Sequence, residues 1–206
     1  MIEIILEASK ARTAPNFLIK DIPGTTGRWD VVIRCLRSAF SFPREINEKI
    51  NFTVLLGGLP DPPKLFKFEG SIFNDLRNEI LGAVFFRDLV KKSMKIMKTT
   101  EISPGIEFSR INLIRYLDRK LKNGEVVFYL SENGFDINKF LTSFKMNFTQ
   151  KLNFIIGDQS GFRPELLKYL SKISKKLKLK GNKSYLSSQS IKYLIFELLK
   201  LGIIKH

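Results

Sequence analysis

An α/β fold, a sheet with helices on its faces, is what the sequence predicts, and three observations carry that expectation. Short apolar runs of strand character alternate along the chain with stretches whose apolar residues recur at spacings of three and four. The 206 residues are 44% hydrophobic and 27% charged, a balance that buries a sizeable core. No internal repeat or low-complexity linker divides them, so a single domain over residues 1–206 is expected.

Each element follows from local pattern. The run IEIIL, Ile2 to Leu6, reads as the first strand. Trp29, Val32, Ile33, Leu36 and Phe40 repeat at helical spacing, which predicts an amphipathic helix over Arg28 to Phe40. FTVLL (Phe52 to Leu56) is a buried strand, and KLFKF (Lys64 to Phe68) alternates like a half-exposed one. Ile72, Leu76, Ile80 and Val84 resume the helical period through about Met94. After a polar break at Lys98 to Ser103, PGIEFSR gives a short strand, followed by a helix from about Ser109 to Leu121. EVVFYL (Glu125 to Leu130) and LNFIIG (Leu152 to Gly157) are further buried strands; Phe135 to Gln150 between them is irregular or helical. A proline and a leucine-rich run after Arg163 begin another helix. KLKLK, Lys176 to Lys180, is a strand with lysines on one face and Leu177 and Leu179 on the other. Ile191, Leu194, Ile195, Leu198 and Leu199 stripe a last helix that Ser187 or Ser188 would cap.

Composition excludes several chemistries. With one cysteine, Cys35, and one histidine, His206, the chain has neither an internal disulfide nor a zinc-type ligand set, so no metal is expected. Cys–His and Ser–His–Asp catalysis fall with them. No apolar run reaches the ~20 residues of a membrane span, and MIEIILEASK is too short and acidic for a signal peptide, so no membrane partner and a cytoplasmic location are expected. The 35 Lys and Arg against 20 Asp and Glu leave a net charge of +15, which favours a polyanion such as RNA. Eight of the basic residues lie between Arg163 and Lys183 against one acid, Glu165, and Arg87, Lys91, Lys92, Lys95 and Lys98 recur at helical spacing. Either run also suits an ordinary solvated face.

Three glycine-bearing loops follow late strands: LSENG (Leu130 to Gly134), GDQSG (Gly157 to Gly161) and GNKSYL (Gly181 to Leu186). In an open α/β sheet, ligands bind outside the carboxyl ends of strands, and glycine lets backbone groups approach them closely. Neither GxxxxGK[ST] nor a GxGxxG after the first strand is present, so a P-loop hydrolase or a Rossmann dinucleotide site has no support. Taken singly, each loop reads as a tight strand-to-helix turn.

In order and wording, YLSENG, FIIGDQSGF and KGNKSYLSSQSIKYLIFELL resemble the carboxyl-terminal half of SPOUT methyltransferases. PGTTGRWDVVIRCLRSAF, GGLPDPPKLFKFEG and SPGIEFSR extend the resemblance over nearly the whole chain, to the archaeal tRNA pseudouridine-54 N1-methyltransferases. The resemblance implies a SPOUT-type α/β fold, a mostly parallel sheet with helices on both faces and a C-terminal trefoil knot within about residues 125–206. It implies S-adenosylmethionine as cofactor, tRNA as substrate and a homodimer. The cofactor would lie among Leu130, Gly157, Leu179, Gly181, Ser184, Tyr185, Leu186 and Ser190; the family commonly carries a cysteine where this chain has Ser190.

At the uridine, the family's GRxD stretch falls on Gly27, Arg28 and Asp30, which marks Arg28 and Asp30 as catalytic and Arg34 as an RNA contact. Asp30 would accept the N1 proton or orient the base, projecting away from the buried side of its helix; spacing alone equally suits a surface ion pair with Arg34. Lys64, Lys67 and Arg110 are candidate phosphate contacts. Trp29 and Phe66 either stack on a base or belong to the core. Two alternatives share the fold: methylation of pseudouridine in ribosomal RNA during ribosome assembly, and an inactive RNA-binding protein.

Overall fold

The structure, a computed structural model, describes residues 1–71, 78–143, 150–181 and 184–205. Along the chain run β1 (Ile2–Ala8), α1 (Ile22–Thr25), α2 (Trp29–Ala39), α3 (Arg44–Asn47), β2 (Ile50–Leu56), β3 (Lys64–Glu69), α4 (Glu79–Ser93) and β4 (Thr100–Ser103). They are followed by β5 (Ile106–Ser109), α5 (Leu113–Lys122), β6 (Val126–Asp136), α6 (Ile137–Ser143), β7 (Leu152–Gly157), α7 (Pro164–Ile173), β8 (Lys175–Lys178) and α8 (Ser187–Lys200).

The strands form one sheet in the order β4-β5-β3-β2-β1-β7-β6-β8. Five neighbours, β2, β1, β7, β6 and β8, run parallel, and β3, β5 and β4 add an antiparallel edge. Because β1 and β7 are covered on both faces, they are apolar at most positions rather than alternating, and the buried exceptions are paired, Glu3 with Thr53 and Lys120, Glu7 with Arg163, and Asn153 with Glu125. Ile4, Leu6, Phe52, Val54, Phe154 and Ile156 turn to one face, where they meet Trp29, Leu36, Phe86, Leu194 and Leu198 of α2, α4 and α8. Ile5, Leu55, Val127, Tyr129 and Ile155 turn to the other, against Leu113 and Leu117 of α5 and Leu166 and Leu170 of α7. The mostly parallel sheet with helices on both faces is therefore as expected.

Some elements depart from expectation. The polar stretch before Ser103 is not a break, since Thr100–Ser103 pairs with β5 as the edge strand; an exposed edge needs no apolar pattern. The α5 helix starts at Leu113, where the Asn112 side chain accepts from the Arg115 N–H. LSENG does not end β6: the strand continues to Asp136 beside β8, with a register shift between Leu130 and Phe135. Within the ambiguous stretch, Ile137–Ser143 forms α6. Ile72 and Leu76 lie outside the described residues, as does Lys183. Neither Ser187 nor Ser188 caps α8; the helix begins at Ser187, and Gln189 Oε1 accepts from the Leu186 N–H. The apolar stripe of α8 serves the core, Ile191, Leu194, Ile195 and Leu198 being fully buried.

The carboxyl ends of β1, β2 and β7 are tied together. The Ala8 carbonyl accepts from Gly57 N–H, and Asp158 Oδ2 accepts from the Ser9 backbone N–H and hydroxyl, each at 2.9 Å for Ser9. Thr13 Oγ1 donates to the Gly58 carbonyl and accepts from Asp61 N–H, which fixes the loop after β2 on the loop after β1. These bonds convert strand register into the placement of the site.

Candidate active site

A tight turn brings α2 to this edge. Gly27 and Arg28 both take left-handed backbone, at φ of 63° and 75°. At Gly27 a Cβ would meet the Lys10 carbonyl at 1.9 Å, so only glycine fits. Arg28 adopts the same region with a full side chain, a conformation disfavoured for L-residues and concentrated at functional sites. Thr26 Oγ1 accepts from the Trp29 N–H, and the Trp29 indole N–H donates to the Arg12 carbonyl. These contacts hold the turn against the β1 loop.

Behind the turn, Asp30 is 2% exposed, so it does not project into solvent as the helical pattern suggested. Its carboxylate is covered by arginines instead. Arg28 Nε and Nη2 donate to Oδ1 and Oδ2 at 2.9 and 3.0 Å, and Arg34 Nη2 donates to Oδ2 at 2.6 Å. Burial pushes the Asp30 carboxyl up, and the hydrogen bonds and charges of Arg28 and Arg34 more than reverse it, holding Asp30 below the usual carboxylate range. The hydrogen bond to Asp30 raises Arg28 in turn, with a further contribution from the charge of Asp158. The turn and the loop after β7 therefore lie within electrostatic reach of one another. Arg34 also meets Glu79 at 3.3 Å, whereas Nη1 of Arg28 has no partner among the described residues. About 41% of the Arg28 side chain is exposed, so an arginine braced on a buried carboxylate faces the edge.

Beyond Asp158 lies the glycine cradle. The Gly157 carbonyl accepts from Ser187 Oγ at 2.8 Å, which brings the start of α8 to the end of β7. A Cβ at Gly157 would lie 2.8 to 3.1 Å from the backbone of Gly161, so the two glycines close the loop on each other. Tyr185 donates to the Lys180 carbonyl over Gly181, whose φ is 118°, and its ring lies 5.6 Å from that of Tyr193. Leu130 and Leu179 are partly or largely buried on this side, Ser190 sits in the first turn of α8, and Ser184, Tyr185 and Leu186 are exposed. Apolar side chains and closely approaching backbone suit a flat heteroaromatic ring held by backbone and van der Waals contact. On that chemistry the residues fit an adenosyl cofactor.

The other candidates are placed differently. Lys64 is fully buried; its ammonium sits 2.9 Å from Asp61 and 5.5 Å from the Phe108 ring centroid, directed inward rather than at a phosphate. Arg110 binds Asp61 through two nitrogens and also donates to the carbonyls of Ile96 and Met94, so it clamps the 57–61 loop. Lys67 points to the opposite face of β3 and lines a polar cavity of about 270 Å³ with Glu3, Glu69 and Lys120, remote from the Arg28 turn. Trp29 and Phe66 are fully buried core residues, not base platforms. Sequence reasoning missed Asp61, whose hydrogen bonds from Arg110 and then Lys64 hold its carboxyl down to about 2, and, although the loop residue Asp158 is an alternative proton acceptor on the sequence, it missed the bonds from Ser9 to Asp158 that tie the two halves of the site. The DPPK motif carried a signal for the first, an acid three residues from a lysine; nothing local pairs residues 9 and 158.

Comparison with known proteins agrees with this arrangement. Residues 1–201 match the family described as SAM-dependent RNA methyltransferase. The tRNA (pseudouridine(54)-N(1))-methyltransferase of Thermococcus onnurineus is 34% identical over 92% of this chain and 93% of its own. That of Pyrococcus abyssi is 34% identical over 97% and 98%, and that of Methanocaldococcus jannaschii 31% over 85% of each. Among solved structures, Archaeoglobus fulgidus Nep1 bound to S-adenosylhomocysteine superposes with a TM-score of 0.66 over 97% of both chains at 16% identity, a likeness of fold. No metal-binding cluster of His, Cys, Asp or Glu occurs among the described residues, and none of their helices is long and apolar enough to cross a membrane.

Proposed function

The chain belongs to the SAM-dependent RNA methyltransferases, and from that premise we propose that it transfers a methyl group to N1 of pseudouridine 54 in tRNA. The observation that carries this reading is that the loop after β1 ties both pieces to the carboxyl ends of the parallel strands, the Arg28 turn through Arg12, Thr26 and Trp29 and the Gly157–Asp158 loop through Ser9. Leu130, Gly157, Leu179, Gly181, Ser184, Tyr185, Leu186 and Ser190 would hold S-adenosylmethionine, which supplies an electrophilic methyl group on a sulfonium.

The pseudouridine ring carries a free N1–H next to a carbonyl. When the proton leaves to water, negative charge spreads onto that oxygen and N1 becomes the nucleophile. Arg28, with Nη1 uncommitted, is the group that stabilises this charge and so lowers the barrier to deprotonation. Asp30 is a poor proton acceptor, because both oxygens already accept from arginines and its basicity is depressed. Its role is to hold Arg28 and Arg34 in place. Arg34 extends the positive surface towards the RNA, whereas the buried Lys64 and the clamped Arg110 act through the 57–61 loop.

The reading includes a single domain with knot-type threading of about residues 125–206; in support, β7 and β8 flank β6 and α8 returns to Gly157. It also includes a cytoplasmic homodimer. The stripe of α8 is spent on the core, so the exposed Phe196 on that helix is the large apolar group offered to a partner copy. Light scattering at micromolar concentration should give twice the chain mass, and a monomer mass would remove the dimer. The function is tested by mass spectrometry of tRNA from cells with and without the gene: the T-loop pseudouridine should lose 14 mass units on deletion, roughly one methylene, and an unchanged nucleoside would overturn the reading.

A further inference from the structure

We propose that Arg12, on the loop after β1, grips a phosphodiester of the RNA beside the target nucleotide; the inference rests on the RNA methyltransferase reading. Arg12 is fixed by its backbone at the turn that bears Arg28, its N–H donating to the Thr26 carbonyl at 2.8 Å and its carbonyl accepting from the Trp29 indole at 3.1 Å. Its side chain is not comparably satisfied. Nη2 makes one exposed hydrogen bond, to Asn16 Oδ1 at 3.1 Å, and the buried Nε has no acceptor. Among the described residues it has no acidic partner, whereas Arg28 and Arg34 share Asp30, and Arg110 has Asp61.

A buried N–H without an acceptor is uncommon and unfavourable, and the solvent-exposed Asn16 contact that holds it there is weak. The guanidinium is thus parked rather than locked, and an outward rotation relieves the unpaired N–H. Once turned out, it presents a planar fork that matches the spacing of phosphate oxygens, which the compact lysine ammonium does not. The loop beneath it stays in place, because Thr13 and Gly58 join it to the 57–61 loop and Ser9 joins it to Asp158. A phosphate taken here would set the target base against Arg28, so Arg12 is a positioning residue.

The test is the salt dependence of RNA binding. A T-arm stem-loop carrying pseudouridine at position 54 is titrated with S-adenosylhomocysteine present, at several KCl concentrations, using the parent protein, Arg12→Ala, Arg12→Gln, Arg12→Lys and, as a control for loss of any charge, Lys91→Ala at an exposed position of α4. Removing one phosphate contact should make the slope of log K against log salt shallower by about 0.7. Arg12→Ala and Arg12→Gln should both show that change, with binding weaker by roughly tenfold at low salt; Arg12→Lys should keep the slope and lose several-fold in affinity. Arg12→Gln retains hydrogen-bonding reach to Asn16, so it reports on charge even if the alanine variant is poorly folded. Slopes parallel to the parent and to Lys91→Ala would overturn the proposal. Failure of the parent protein to methylate the same RNA would instead remove the functional reading, and the slope comparison would still decide Arg12.

Discussion

At Arg28 and Asp30 the sequence pattern and the structure part company, and the chemistry turns on the difference. An acid on an amphipathic helix is counted among the polar residues and assigned to solvent, yet a carboxylate that accepts three arginine hydrogen bonds is stable in the interior. Its burial therefore depends on Arg28 sitting two residues before it in a left-handed turn, which spacing alone does not disclose. If Arg28 stabilises the N1 anion, the single-turnover methylation rate rises with pH through the ionisation of N1, and Arg28→Gln moves the inflection up by about one unit. An unmoved inflection would assign Arg28 to binding alone. Asp30→Asn leaves two arginines sharing a neutral amide, and we expect a loss of about 1–3 kcal/mol in stability together with a rate lowered about tenfold or more. Thermal melts run beside the kinetics separate the two effects. Asp61 supplies a test by pH. Its folded carboxyl titrates at about 2, below the ordinary value near ~3.9, so its contribution to stability is present above the ordinary value and is lost as pH falls towards 2. Acid denaturation of Asp61→Asn should differ from that of the parent at neutral pH and converge with it below about pH 2; curves that stay parallel would mean that Arg110 and Lys64 do not depend on that charge.

The glycine loops show at the level of elements what sequence discloses and what it does not. Strands β1, β2 and β7 were legible because burial on both faces demands mostly apolar runs, and α2 because one face must be apolar. Edge strand β4 was not, since exposure relaxes its composition. The β6 extension was hidden for another reason: Ser131 to Gly134 has turn chemistry, and its pairing with β8 depends on Leu177, more than forty positions away. At Gly134 a Cβ would meet the Leu177 backbone at 2.4 Å, so the glycine serves strand contact rather than a turn. Gly157 combines both kinds of information, being visible as a strand end in sequence while its closure on Gly161 and its bond to Ser187 are visible only in three dimensions. Gly157→Ala must push the Gly161 backbone away. We expect calorimetric titration with S-adenosylhomocysteine to show binding weakened at least tenfold, with β7 and the global melt little changed; unaltered affinity would place the cofactor elsewhere.

Across the whole molecule, the charge of +15 divides into two populations that the composition does not distinguish. Arg28, Arg34, Lys64, Arg110, Lys120 and Arg163 are held by Asp30, Asp61, Glu3 and Glu7 and build the fold and the site. Lys168, Lys172, Lys175, Lys176, Lys178 and Lys180 stay exposed and give the surface its general attraction for a polyanion. The mostly parallel sheet gathers the ends of β1, β2 and β7, the Arg28 turn and the start of α8 at one edge, which is the arrangement a cofactor and a nucleotide require if they are to meet. The claim that joins these scales is transfer of a methyl group to one nitrogen of one nucleoside. It is tested most directly by incubating purified protein and S-adenosylmethionine with T-arm RNAs that carry either pseudouridine or uridine at position 54, then locating the methyl group by tandem mass spectrometry. The account predicts N1-methylpseudouridine in the first RNA and no product in the second. Methylation of the uridine RNA, a methyl group on ribose or on another base, or no transfer to the pseudouridine RNA would contradict it.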